Sequence, residues 1–225
     1  MMNVGRRDPW TVAHFAERLK LERPGELEQI LDGGVEPSFG VLEAFAKLTG
    51  VNSGWLKFGT QQPFWSEEWN DLYPDCCLPR IRELLPRQTF IIRCKDKAGR
   101  SGFLLQLDEL RFVVFLLTWH ISGEVGGTGQ NQLVSFYRAM KMLSAGTGRE
   151  YGYRCGQILD QIAFDRLLAG TVYPGSVIQP GNNPWWEDFI DLEHKHFGAE
   201  HYGERYGPEF LEAQKIVRWR LSQSV

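Results

Sequence analysis

Residues 11–59, TVAHFAERLKLERPGELEQILDGGVEPSFGVLEAFAKLTGVNSGWLKFG, read as a series of short helices with marked ends. Val12, Phe15, Ala16 and Leu19 fall at i, i+3, i+4 and i+7, one face of a helix. Leu21 follows in a tight connection, and Leu27, Ile30 and Leu31 make a second apolar stripe. Ser38, after Glu36 and Pro37, is placed to accept a hydrogen bond from an orphan amide of a third helix. Val41, Leu42, Phe45, Ala46 and Leu48 form that helix's buried face, and Gly50 is placed to end it. Asn52 or Ser53 can cap a last short helix carrying Trp55 and Leu56. Helix, sharp turn, helix, cap, helix is the order that presents one helix to a DNA groove.

This stretch resembles the DNA-binding domain of the lambda-repressor/Cro-like regulators. That family has an alanine in the middle of its first motif helix, matched by Ala16, and a hydrophobic turn residue, matched by Leu21. The polar start of its recognition helix is matched by Glu22 and Arg23. A Gly-x-x-x-Pro-Ser connection is matched from Gly33 to Pro37 and Ser38. A closing Val-Asn-x-x-Trp-Leu-x-x-Gly is matched by Val51, Asn52, Trp55, Leu56 and Gly59. The likeness covers about a quarter of the chain and does not extend past residue 64. It implies an all-α helix-turn-helix domain over residues 1–62, a sequence-specific transcriptional regulator, and double-stranded DNA as partner. The DNA-binding residues it implies are Thr11, Arg23, Pro24, Gly25, Glu26 and Gln29.

Charge tempers how such a domain would bind. Residues 1–59 hold seven Lys/Arg against eight Asp/Glu, and the whole chain carries a formal net charge of −3. Non-specific affinity comes from neutralising phosphates, so binding away from an operator is expected to be weak. Glu accepting from cytosine and Gln pairing with adenine are nonetheless legitimate base contacts. The alternative is a protein-interaction adaptor that uses a helix-turn-helix fold without binding DNA.

At 225 residues the chain is long enough for about two domains. No apolar run approaches the ~20 residues that cross a bilayer; the longest candidate, 112–119, is strand-sized. Residues 1–9 are mostly polar, unlike a secretory leader, so a cytoplasmic protein with no membrane partner is expected. The cysteines at 76, 77, 94 and 155 lack Cys-x-x-Cys spacing and read as free thiols, with Cys76 and Cys77 a packed, partly buried pair.

Residues 63–79 hold Phe64, Trp65, Trp69, Leu72 and Tyr73, too many sticky side chains for a flexible tether. They are expected to strap onto the second domain or a partner subunit. Residues 80–225 should then form an α+β domain for dimerisation or sensing. Its expected elements are a short helix at 80–85, an antiparallel meander at 89–94, 102–107 and 111–121, and helices at 132–143, 157–168, 185–197 and 208–221. A homodimer is expected, since two half-sites multiply a weak single contact. The aromatic-rich last third could hold a small ligand.

Three further groups could carry chemistry, and each has a plainer reading that we prefer. The Gly123–Gly129 run could cradle an anion, but Gln130 and Asn131 stand where a nucleotide loop needs Lys-Ser/Thr. Glu193, His194, His196, Glu200 and His201 are zinc-type ligands at spacings a single helix face cannot bring together. A self-cleaving Ser-Lys pair, common among phage-repressor relatives, finds no matching surroundings at Ser101, Ser122 or Ser135, nor at Lys95, Lys97 or Lys141. No catalytic residue, metal or cofactor is expected, and the chain reads as a non-enzyme.

Overall fold

The computed structural model describes residues 10–64, 66–67, 71–115, 118–146 and 149–223. The first part is helical: α1 (Val12–Arg18), α2 (Pro24–Leu31), α3 (Phe39–Thr49) and α4 (Ser53–Phe58). Side chains cap three of them, at Ser38 and Asn52 where the sequence placed caps and at Thr11 where it placed none. The Thr11 hydroxyl accepts from the His14 amide at 3.4 Å, Ser38 from Val41 at 3.3 Å, and the Asn52 carbonyl oxygen from Gly54 at 2.9 Å. After α1 the Leu21 amide reaches the Ala16 carbonyl and the Lys20 amide that of Glu17, both at 3.0 Å, with Lys20 left-handed at φ 59°. Gly33 (φ 74°) plays that role after α2 at no steric cost.

The helices share a small core of Ala16, Leu19 and Leu27, with Phe15, Phe45 and Leu48 partly covered. Leu31, expected in the buried stripe, is instead 65% exposed. α2 is little more than two turns long, and its last turn runs past the side chains that could cover it.

The remainder is a sheet with helices on both faces. Its strands are β1 (Ser66–Glu67), β2 (Gln88–Cys94), β3 (Arg100–Gln106), β4 (Phe112–Phe115), β5 (Trp119–His120) and β6 (Tyr153–Leu159). Among the described residues the order is β1-β4-β3-β2-β6, with β5 also on β3. β2–β3, β3–β4 and β3–β5 are antiparallel, but β2–β6 and β1–β4 are parallel. The sheet is therefore mixed, not the expected meander. The single strand expected at 111–121 is broken as well: β3 pairs Leu104 with Val114 but Ser101 with Trp119, a register shift of two residues.

Successive side chains alternate between two cores. Ile91, Phe103, Leu105 and Phe115 face α5 (Cys77–Glu83), α6 (Gly127–Ala145), α8 (Trp185–Ile190), α9 (Ala199–Tyr206) and α10 (Pro208–Ser222). Phe90, Ile92, Leu104 and Val114 face α7 (Gln161–Leu168) and Tyr173. Burial on both sides explains why three apolar residues follow one another without alternation in β2 (Phe90 to Ile92) and in β3 (Phe103 to Leu105).

Three expected helices change as a result. The helix expected at 157–168 begins only at Gln161, behind an Asp160 cap that accepts from Ala163 at 2.8 Å; the preceding residues form β6. Gly156 makes that strand possible, because a Cβ there would sit 1.9 Å from the Asn183 carbonyl oxygen. Residues 179–183 run along β6, the Asn183 amide bonding to the Gly156 carbonyl at 2.9 Å and the Gln157 side-chain amide to the Gly181 carbonyl at 2.8 Å, which closes that edge. The helix expected at 185–197 stops at Ile190, and α9 follows a turn. Buried Gln214 explains the stop: its side-chain amide donates to the Asp188 and Phe189 carbonyls at the end of α8, at 3.0 and 3.3 Å. The short helix expected at 80–85 runs from Cys77 to Glu83.

The strap does dock on the sheet-containing part. The Phe64 amide donates to the Gly170 carbonyl at 3.1 Å, and the Phe64 ring lies 5.6 Å from that of Tyr173. Trp65 and Trp69 lie outside the described residues.

Candidate nucleic-acid interface

α2 buries Leu27 against α1 and half-buries Ile30, and its other side chains are exposed. Arg23, Pro24, Gly25, Glu26 and Gln29 are all exposed, and the structure gathers them on this one short helix. Arg23 is the N-cap, extended at φ −141° and ψ 138°, and its side chain does not cap the helix. Pro24 occupies the first turn, where its missing N–H costs nothing. Gly25 has open space around the position of a Cβ, so another backbone could approach closely. The Gln29 backbone carbonyl accepts from the amides of Gly34 and Val35, at 2.8 and 3.3 Å, which folds the chain after α2 back onto its last turn. Thr11 stands apart from this set as the cap of α1, also exposed.

The electrostatics of the face are mixed. Glu22, Glu26 and Glu28 are exposed beside Arg23. Lys20 and Arg23 have no ion-pair partner among the described residues, whereas Lys57 is held by Glu43 and Arg18 lies 5.2 Å over the Trp10 ring. Glu43 is kept below the usual carboxylate range by its hydrogen bond from Lys57. Arg6 and Arg7 lie outside the described residues.

The other groups singled out from sequence turn out to be internally occupied. Ahead of α6, the Gly123 amide and the Ser122 hydroxyl both donate to the Glu209 carboxylate, at 3.1 and 3.0 Å. The chain's own carboxylate thus takes the first amide of the glycine-rich run. Nothing in the local sequence pointed to Glu209, which lies 86 residues away.

His194, left-handed at φ 53°, hydrogen-bonds through Nε2 with the Gln214 side-chain oxygen at 3.1 Å. Asp191 accepts from the Lys195 and His196 amides and the Tyr202 hydroxyl, each at 2.9 Å. Burial alone would raise the Asp191 pKa; these three donors outweigh it and hold the carboxyl below its ordinary range. His201 stacks on Phe197 at 4.8 Å. Among the described residues no group of three or more His, Cys, Asp or Glu is arranged to hold a metal.

Ser101 donates to the Gly99 carbonyl and Ser135 to Asp75, and neither meets a lysine. The thiols are free, Cys76 exposed and the other three buried. Burial pushes Cys77 up strongly and Cys94 up to about 12, so neither is a nucleophile at neutral pH. A cleft of about 960 Å³ with room for a small ligand lies between α6, α8 and α10, with Tyr137, Lys141, Glu187 and Arg218 in its walls.

No helix among the described residues is long and apolar enough to cross a membrane. Comparison of the chain with protein-family models, curated proteins and solved structures finds no match in any of the three. The functional reading therefore rests on the residues themselves.

Proposed function

We propose that this protein is a sequence-specific DNA-binding transcriptional regulator, cytoplasmic and homodimeric. In this reading residues 1–62 form a lambda-repressor/Cro-like helix-turn-helix domain, and residues 80–225 serve dimerisation or ligand sensing. The observation that carries it is the outward face of α2, where Arg23, Gly25, Glu26 and Gln29 are exposed together at the start of a helix. Arg pairs bidentately with guanine and Gln with adenine, while Glu accepts from cytosine. The Gly25 amide in the first turn of α2, and the amide end of α1 at Thr11, would hold phosphates without a cation.

The test is to sequence the fragments that the purified full chain retains from a random DNA pool. Arg23→Ala or Gln29→Ala should then weaken the selected site by about 1–3 kcal/mol each. With so few cations the dimer's log affinity should fall against log salt with a slope of only about −3 to −6. Both variants binding as tightly as the parent would remove α2 from the groove.

One observation favours a second reading, an adaptor that keeps the fold and binds protein. Three exposed glutamates, Glu22, Glu26 and Glu28, surround Arg23. That reading predicts no retained DNA even at low ionic strength, where phosphate attraction is strongest.

A further inference from the structure

The cleft between α6, α8 and α10 is shaped by the packing beneath it and by bonds its walls have already made. Inside, the Phe136 ring of α6 stacks on Trp185 at 5.7 Å and meets Phe189 edge-on at 5.5 Å, both on α8. Gln214 of α10 donates to the Asp188 and Phe189 carbonyls, which ties the third wall to the same helix. Most charged groups of the walls are spoken for. Asp188 accepts from the Tyr206 hydroxyl at 2.5 Å, and Asp191 from two amides and Tyr202. Arg218 donates to the Leu192 carbonyl and lies 3.8 Å from Glu193. Glu187, Lys141 and Lys195 are left over, with no side-chain hydrogen bond or ion pair among the described residues. Burial and then the neighbouring Asp188 push the Glu187 carboxyl above its ordinary range; the cation that offsets them is Arg154, not Lys141. Opposite charges that share one cleft without meeting each leave a place for a complementary group.

We infer that this cleft binds a short zwitterionic peptide with apolar side chains, its ammonium on Glu187 and its terminal carboxylate on Lys141. Size fits: about 960 Å³ lies at the upper end of the ~300–1,000 Å³ of small-molecule sites, more than a single amino acid fills. Span fits as well. An extended dipeptide reaches about 7 Å, at ~3.5 Å per residue, whereas a free amino acid holds its two charges within about half of that. The lining also offers Tyr137, Ile190, Phe197 and Leu221 to apolar side chains. Tyr137 and Lys141 are four residues apart on α6, so ring and ammonium share one face. Lys141 and Glu187 stand on packed helices and Lys195 in the turn after α8, so the first two set the distance a ligand must span. The inference rests on the sensing role proposed for residues 80–225 and does not need α2 to enter DNA.

The experiment is titration calorimetry of the full chain with leucyl-leucine. Saturable binding with a Kd below ~1 mM is expected. Three further probes take the ligand apart on the unaltered chain, so that no variant need fold. N-acetyl-leucyl-leucine lacks the ammonium and leucyl-leucinamide the carboxylate, and each should bind about tenfold more weakly. Free leucine, with its charges too close together, should lose at least about tenfold as well. Glu187→Gln should weaken the free dipeptide about tenfold and leave the acetylated one unchanged, and Lys141→Met should do the same for the amide. Neither substitution removes an internal bond of the described residues. No saturable binding up to ~1 mM, equal affinity for the four probes, or an equal loss for free and modified peptide in either variant would each overturn the assignment. Peptide binding by a chain that retains no DNA would leave the cleft standing and remove the regulator. DNA retention without peptide binding would do the reverse.

Discussion

The four N-terminal helices and the sheet-containing remainder bury their side chains very differently. In the first, the buried apolar side chains are only Ala16, Leu19, Leu27, Ala46 and Val51 among the described residues, and no described aromatic up to Phe64 is buried. In the second, Trp119, Trp185, Tyr202, Phe103, Phe115, Phe136, Phe164, Phe189 and Phe210 are all less than 2% exposed. Burial of a large aromatic removes far more apolar area from water than burial of an alanine. The remainder can thus specify one packed arrangement from its own interior. The helical part depends on its caps, its turns and the docking of Phe64 against Gly170 and Tyr173. The lesson is that apolar side chains stay open where the chain lacks the volume to cover them.

The largest effect that would sharpen this contrast is at Phe136, whose ring lies 5.5–5.7 Å from those of Phe189 and Trp185. Phe136→Ala should cost about 3–5 kcal/mol in urea unfolding. Phe45→Ala, partly buried among the N-terminal helices, should cost clearly less. Equal losses would break the comparison.

A smaller contrast sits in two glycines. Gly156→Ala drives a methyl into the Asn183 carbonyl and should cost about 1–3 kcal/mol, with loss of hydrogen-exchange protection along β6. Gly25→Ala meets nothing within 4 Å and lies in a helix, so it should be neutral or stabilising by up to about 1 kcal/mol. Thermal melts of the two variants decide this, and a destabilised Gly25→Ala would mean that α2 is packed more closely than its exposure indicates.

The smallest expected effect is in acid. Asp191 is depressed below its ordinary value of 3.8 by two amides and Tyr202, so its contribution is present above that pH and is lost as pH falls through the lower folded-state value. Glu43 is depressed too, but its pair with Lys57 is in solvent and should add little. Melting temperatures followed downward from pH 5 should therefore decline less steeply in Asp191→Asn than in the parent. The matching change at the other site, Glu43→Gln, should leave the profile nearly unchanged. An effect of the second substitution as large as that of the first would place acid sensitivity in the helical part instead.

Local chemistry was legible in the sequence wherever it acts over a few residues. Ser38 and Asn52 as helix starts, and Gly50 as a helix stop, need only their neighbours' amides and carbonyls. The set Arg23, Pro24, Gly25, Glu26 and Gln29 was named through the family resemblance, and all five are exposed. What needed the tertiary structure was every feature decided by a distant partner. The last three residues of β6 read as the start of a helix until Asn183 and Gln179 close against the strand at Gly156 and Gln157. The end of α8 is decided by Gln214 and the empty look of the glycine-rich turn by Glu209, both supplied from α10. The sequence likewise assigned Leu31 to a core because its spacing fits a stripe, but spacing states only which side chains share a face. Whether that face is covered depends on how much of the chain folds over it, and over the end of α2 too little does.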